Sequence, residues 1–160
     1  MQLKRKDFAH YFDISTTGEA KWELEGIGVE ALSLAYNPQI DTFKQIIDDV
    51  ASSTFDSYQI QSSVSGKRID KDDPIWKWLN EARKKAESIE TKMLEVNMSS
   101  ATGNLSTSTN YEALQYNVLI VINEFLGENA TISYDVYVKG KPTIGTVVIA
   151  DKKPTFTPKA

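Results

Sequence analysis

The chain has 160 residues, 41% hydrophobic and 25% charged, with a formal net charge of -4. A chain of this length suits one domain that buries about 70% of the surface its unfolded form exposes. It contains no cysteine, which excludes disulfides, thiolate metal sites and cysteine nucleophiles. The acidic balance argues against a surface built to grip phosphates, because such contacts need clustered Lys and Arg.

Lys4, Arg5 and Lys6 are not followed by an apolar stretch of signal-peptide length, so the expectation is a protein that starts in the cytosol. The longest apolar run, Val118 to Ile122, is far too short to span a bilayer. Phe8, Tyr11 and Phe12 stand ahead of the first regular alternation, in a stretch read as an N-terminal arm over about residues 1–12. Aromatic side chains in an arm either dock on a neighbouring molecule or fold back on their own domain.

Trp22-Glu23-Leu24-Glu25 alternates apolar and charged residues and reads as a strand. Glu30 to Tyr36 follows, with Leu32, Leu34 and Tyr36 on one face, and Asn37-Pro38 ends it. Ala51 to Ser65 holds one or two serine-rich strands carrying Phe55 and Tyr58. Asp73 then caps a helix whose first position is Pro74, where a missing N–H does no harm. Ile75, Trp78, Leu79, Ala82 and Ala86 recur at helical spacing, which places the helix at about 74–88. Trp78 shares that apolar stripe. Trp76 points about 160° away from it, so it meets another element or another subunit.

Thr91 to Met98, Glu112 to Phe125, Ile132 to Val138 and Gly145 to Ala150 complete the strands, the last entered through a Gly140-Lys141-Pro142 turn. Ser99 to Asn110 is a run of small polar residues and reads as a mobile loop. Asp151 to Ala160, with Phe156 between Pro154 and Pro158, reads as a C-terminal arm outside the core. Many short strands and one helix predict a mainly β protein, a β-sandwich or barrel with a flanking helix.

Catalytic and metal-binding patterns are weak. His10 is the only histidine, so a Ser-His-Asp triad or a histidine metal cluster would have to use a residue of the expected arm. Gly26-Ile27-Gly28 lacks the third glycine of a dinucleotide fingerprint and has no helix behind it. Asp70, Asp72 and Asp73 lack the glycine and the glutamate of a calcium loop. The expectation is therefore no catalytic residue, no cofactor and no metal.

Three stretches carry a resemblance: Lys4 to Asp13, Trp22 to Glu30, and Leu32 to Pro38 followed by Thr42-Phe43-Lys44. With Asp72-Asp73-Pro74-Ile75-Trp76-Lys77-Trp78-Leu79, Gly145-Thr146-Val147 and Phe156-Thr157-Pro158, they resemble the major tail proteins, or tail tube proteins, of long-tailed, siphovirus-type phages. The order of features matches over nearly the whole chain. The serine- and threonine-rich run at Ser99 to Asn110 departs from the family by its length.

The resemblance implies a structural virion protein that assembles with itself into stacked hexameric rings. Tape measure, tail tip and tail terminator proteins would be its other partners. Genomic DNA would pass through the lumen without sequence-specific binding. On that reading Phe8, Tyr11, Phe12, Phe43, Phe55, Tyr58, Trp76 and Phe156 are the candidate assembly contacts. Glu23, Glu25 and Asp135, outward-facing by alternation, would line the lumen or face solvent. Two other readings stand beside it: the inner tube of a related injection device, and a monomeric β-sandwich that binds a carbohydrate or a protein partner.

Overall fold

The computed structural model describes residues 2–102, 110–126 and 129–160. A short turn at Arg5–Asp7 leads into β1 (Phe8–Asp13) and β2 (Trp22–Leu24). β3 (Pro38–Phe43), β4 (Ser52–Tyr58) and β5 (Gln61–Arg68) come next, then α1 (Pro74–Lys85). β6 (Ile89–Thr102), β7 (Asn110–Phe125), β8 (Thr131–Ala150) and β9 (Lys153–Pro158) complete the chain. The architecture is mainly β with one flanking helix, as the strand pattern predicts. The loop expected at Ser99–Asn110 falls largely at 103–109, outside the described residues.

Seven strands form one antiparallel sheet in the order β2-β1-β6-β7-β8-β5, with β9 also on β8, while β3 and β4 pair only with each other. β8 runs for 20 residues. Its first half lies between β7 and β5, and its second half between β7 and β9. The Gly140-Lys141-Pro142 turn expected between two strands is instead a bulge within one strand, opposite β7 residues 115–117. Gly140 takes a φ of 76° there, and Pro142 has no N–H to give to a ladder. The local break is real, but β7 is long enough to pair on both sides of it.

The sheet buries apolar side chains on both faces. Toward α1 it presents Phe12, Met93, Tyr116, Val118, Ile120, Ile132, Tyr134 and Val136, against which Ile75 and Leu79 pack. At the other end the sheet curls until β2 approaches β9. That curl encloses Tyr11, Leu94, Val96, Ala113 and Val147, with Trp22, Ile149 and Phe156 around them. The result is a nearly closed barrel with a helix on its outer flank.

This double core corrects the reading of both ends of the chain. Residues 8–12 belong to a strand held between β2 and β6. Tyr11 and Phe12 point to opposite faces and are 6% and 0% exposed. Adjacent aromatics look like arm residues because one face of a strand cannot bury both; a sheet with a core on each side can. The C-terminal segment likewise forms β9, which pairs Gly145–Ala150 of β8. Pro154 is buried and Phe156 packs into the second core. Phe156 fits because Gly145 stands beside it: a Cβ there would run into the ring and the carbonyl of Thr157.

Three smaller differences from the sequence pattern lie between the two ends. α1 stops at Lys85 because Ala86 takes a left-handed φ of 54°, short of the expected 88. Glu30 to Tyr36 makes only one bridge, Ala35 to Gln61, and lays the buried Leu32 over the first core as a loop. Beyond the break at Asn37-Pro38 a strand begins, β3.

Candidate assembly surface

β3 and β4 form a two-stranded ribbon that pairs with no other strand among those described. All six residues of β3 are exposed. Ile40 faces solvent directly opposite Phe55, and Phe43 opposite Ser52. The tip is more apolar still, with Ile46 103%, Ile47 83% and Val50 79% exposed. The ribbon is rooted through Asn37, whose Nδ2 donates to the Gln59 carbonyl at 3.1 Å. Tyr58 stacks edge-on with Tyr36 at 5.5 Å and lies 4.7 Å from the Phe55 ring. Between this aromatic root and the sheet lies a cavity of 490 Å³ lined by Leu114, Tyr116, Val138 and Pro142.

The sheet face opposite α1 is open over β5, the start of β6, β7 and the first half of β8. It carries Glu90, Lys92, Asn117, Asn123, Asp135, Tyr137 and Lys139. Lys139 pairs with Glu90 at 3.1 Å, both exposed. A hydrogen bond from Asn123 holds the Asp135 carboxyl below its usual range, with help from Ser63 and Tyr137. The Asp135 charge in turn pushes the Tyr137 phenol up. Asp135 thus sits on an open face that also carries Leu119 and Val121, and its charge and that of Glu90 balance those of Lys92 and Lys139, with no basic excess. β5 is hydrogen-bonded along one side by β8; its other side is held at both ends, by the bridge to Ala35 and by the Arg68 N–H donating to the Gly28 carbonyl at 3.0 Å, and is a sheet edge only between them.

Glu25 is a correction. It is not outward-facing but buried at the end of β2, 7% exposed. Its Oε1 accepts from Lys67 Nζ at 2.6 Å and its Oε2 from the Tyr134 hydroxyl at 2.5 Å. Lys67 Nζ also reaches Asp73 Oδ2 at 2.8 Å and the Ile27 carbonyl at 2.6 Å. Burial raises the Glu25 carboxyl, and Lys67 opposes that shift. Burial and the Glu25 charge push the Tyr134 phenol well up. Simple alternation along Trp22–Glu25 fails here because Lys67, six residues ahead of the helix cap, brings a positive charge into the core. Glu23 remains half-exposed on β2, opposite Phe12.

The other expected contacts divide clearly. Phe43, Phe55 and Tyr58 all lie on the ribbon, Phe55 against Tyr58 near its root and Phe43 toward the tip opposite Ser52. Tyr11, Phe12 and Phe156 belong to the cores. Trp76 stacks on Phe125 at 5.8 Å and 8°, with Arg83 over the Phe125 ring at 3.9 Å. It therefore meets another element of its own chain, while Trp78 packs 6.1 Å from Phe12. Phe8 is half-buried beside a groove shared with Glu95, Leu114 and Ile144. The tip residues Ile46, Ile47 and Val50 lie in the stretch from Asn37 to Asp72 that the resemblance implies for assembly contacts, but the sequence pattern singles out none of them. Two adjacent isoleucines that fit neither a helical nor an alternating pattern are the one signal it carries for them.

His10 lies in β1, 5% exposed, not in a free arm. Its Nδ1 faces Arg5 Nη2 at 3.1 Å and its Nε2 faces Glu95 Oε2 at 3.3 Å. Arg5 also donates to the Leu32 carbonyl at 3.2 Å, so the group ties the chain's start to the loop over the core. Among the described residues no cluster of three or more His, Asp or Glu could hold a metal ion. None of their helices is long and apolar enough to cross a membrane. No family model matches the chain, and no curated protein matches it.

Proposed function

We propose that this chain is a non-enzymatic structural subunit that assembles with itself into the tail tube of a long-tailed phage, as stacked hexameric rings. The observation that carries the reading is the β3–β4 ribbon. A two-stranded ribbon alone is marginal in water, and this one holds Ile46, Ile47 and Val50 almost wholly in solvent. An apolar patch of that kind marks a protein contact. The domain behind it already has two filled cores, so nothing in its own fold needs the ribbon.

Ring closure requires two different faces on each protomer. The middle of the outer β5 edge, between its ties to Gly28 and Ala35, and the projecting ribbon are two such faces, and strand edges join readily across subunits. The face opposite α1 suits a channel lining, because its balanced charges do not grip a phosphate backbone as a basic surface would. The resemblance in the order of sequence features supports the same reading. Tape measure, tail tip and terminator proteins would be the further partners, with DNA passing through and the virion tail as the final location. Negative-stain electron microscopy of the concentrated protein, alone and with a tail tip complex, tests the proposal. Rings or hollow tubes are expected. Monomers under both conditions would refute it.

A further inference from the structure

Lys67 is the only buried lysine among the described residues, and its amine is held between two buried carboxylates. The two carboxylates are not equivalent. Both oxygens of Glu25 accept hydrogen bonds, from Lys67 and from Tyr134. Asp73 uses Oδ1 to cap α1, accepting from the Ile75 N–H at 3.0 Å. Its Oδ2 lies 2.8 Å from Nζ yet outside hydrogen-bonding angles, so that contact is charge against charge. A net negative charge in a dry core is costly unless it is paired and hydrogen-bonded, or neutralised.

We infer that Lys67 and Asp73 are the reacting pair of an intramolecular isopeptide cross-link, with Glu25 as the proton carrier. The Lys67 ammonium first gives one proton to Asp73 Oδ2, 2.8 Å away. The freed Nζ lone pair attacks Asp73 Cγ, and the C=O electrons move onto Oδ1. That oxyanion forms where the Ile75 N–H and the positive end of α1 already point. Glu25 takes a second proton from Nζ and passes it to Oδ2, which leaves as water. Two Nζ protons depart with Oδ2, the third stays on the new amide, and Glu25 ends as it began. One C–N bond forms, one C–O bond breaks, and nothing is oxidised or reduced.

The surroundings favour each stage. Holding amine and carboxyl in contact removes the entropy of bringing them together. Burial raises the Glu25 carboxyl, which suits a group that must carry a proton. Condensation replaces a buried charge pair with a neutral amide and releases a water from the core. The helix cap survives, because Oδ1 remains a carbonyl oxygen facing the Ile75 N–H. The atom expelled is Oδ2, the one with no hydrogen bond to lose. The product ties the end of β5 to the start of α1 by a covalent bond, independently of any assembly.

Mass spectrometry of the whole chain under denaturing conditions, after days folded at neutral pH, tests this. The expected mass is short by one water. Trypsin should then yield one branched species joining Gln45–Arg68 to Asp72–Lys77, although cleavage after Arg68 and Lys71 would otherwise separate them. Full mass, a water lost on a linear peptide, or a branch from Lys67 to the peptide holding Glu25 would each overturn the assignment. Glu25→Gln, checked as folded by its near-ultraviolet circular dichroism, should lower the cross-linked fraction at least tenfold. An unchanged fraction would remove Glu25 from the chemistry.

Discussion

Replacing Ile46 and Ile47 together by aspartate separates assembly from folding. Both side chains are almost fully exposed, 103% and 83%, so the monomer loses no buried area. Its stability should shift by no more than about 0.5 kcal/mol. In an assembly that covers the tip, each isoleucine contributes roughly 1.5–3 kcal/mol when fully buried. The pair together therefore supplies at least about 3 kcal/mol per contact, and with 1.4 kcal/mol per tenfold the critical concentration should rise at least about a hundredfold. Burying the new carboxylates would raise it further. Pelleting over a concentration series reads the critical concentration, and a urea midpoint on the unassembled fraction reads the fold. Assembly at the parent's concentration, with the urea midpoint unchanged, would show that the ribbon tip is not a contact.

Three further expectations concern the interior. Compared with parent protein that has not yet cross-linked, Lys67→Met leaves Glu25 and Asp73 buried without their cation, and should destabilise the fold by about 3–5 kcal/mol; a urea-midpoint change equivalent to less than about 1 kcal/mol would contradict the ion-pair reading. Gly145→Val places a side chain where the Phe156 ring and the Thr157 carbonyl already stand. It should raise amide exchange along Lys153–Pro158 well before it unfolds the face packed on α1, and uniform exchange across the sheet would argue against a separable β9. Glu25 gives a pH signature. Its folded carboxyl is raised above the ordinary value of 4.5 by burial, so as pH rises past that value the unfolded chain loses this proton first. The unfolded state then holds fewer protons, and the Glu25 contribution to stability falls with rising pH until the folded group also ionises. Urea titrations from about pH 4 to neutrality should show that fall in the parent and lose it in Glu25→Gln; parallel curves would refute the shift.

Local chemistry alone determined the elements whose signals are complete within a few residues. Asp73 and Pro74 announce the helix start, and its cap is found as expected. Ile132, Tyr134 and Val136 alternate and are buried on one face. The strand-rich, single-helix class comes from those patterns. Tertiary structure decided which faces are inside. Tyr11 and Phe12 both enter cores only because the sheet curls and is covered on two sides. Phe156 is packed rather than free because Gly145, eleven positions earlier, leaves space for a ring. Glu25 is buried because Lys67 and Tyr134 reach it from two other elements, Lys67 being held in turn by Asp73 at the helix start. A charge pattern read along one strand cannot show a partner that arrives through space, and pairing energy depends on that separation rather than on position in the chain.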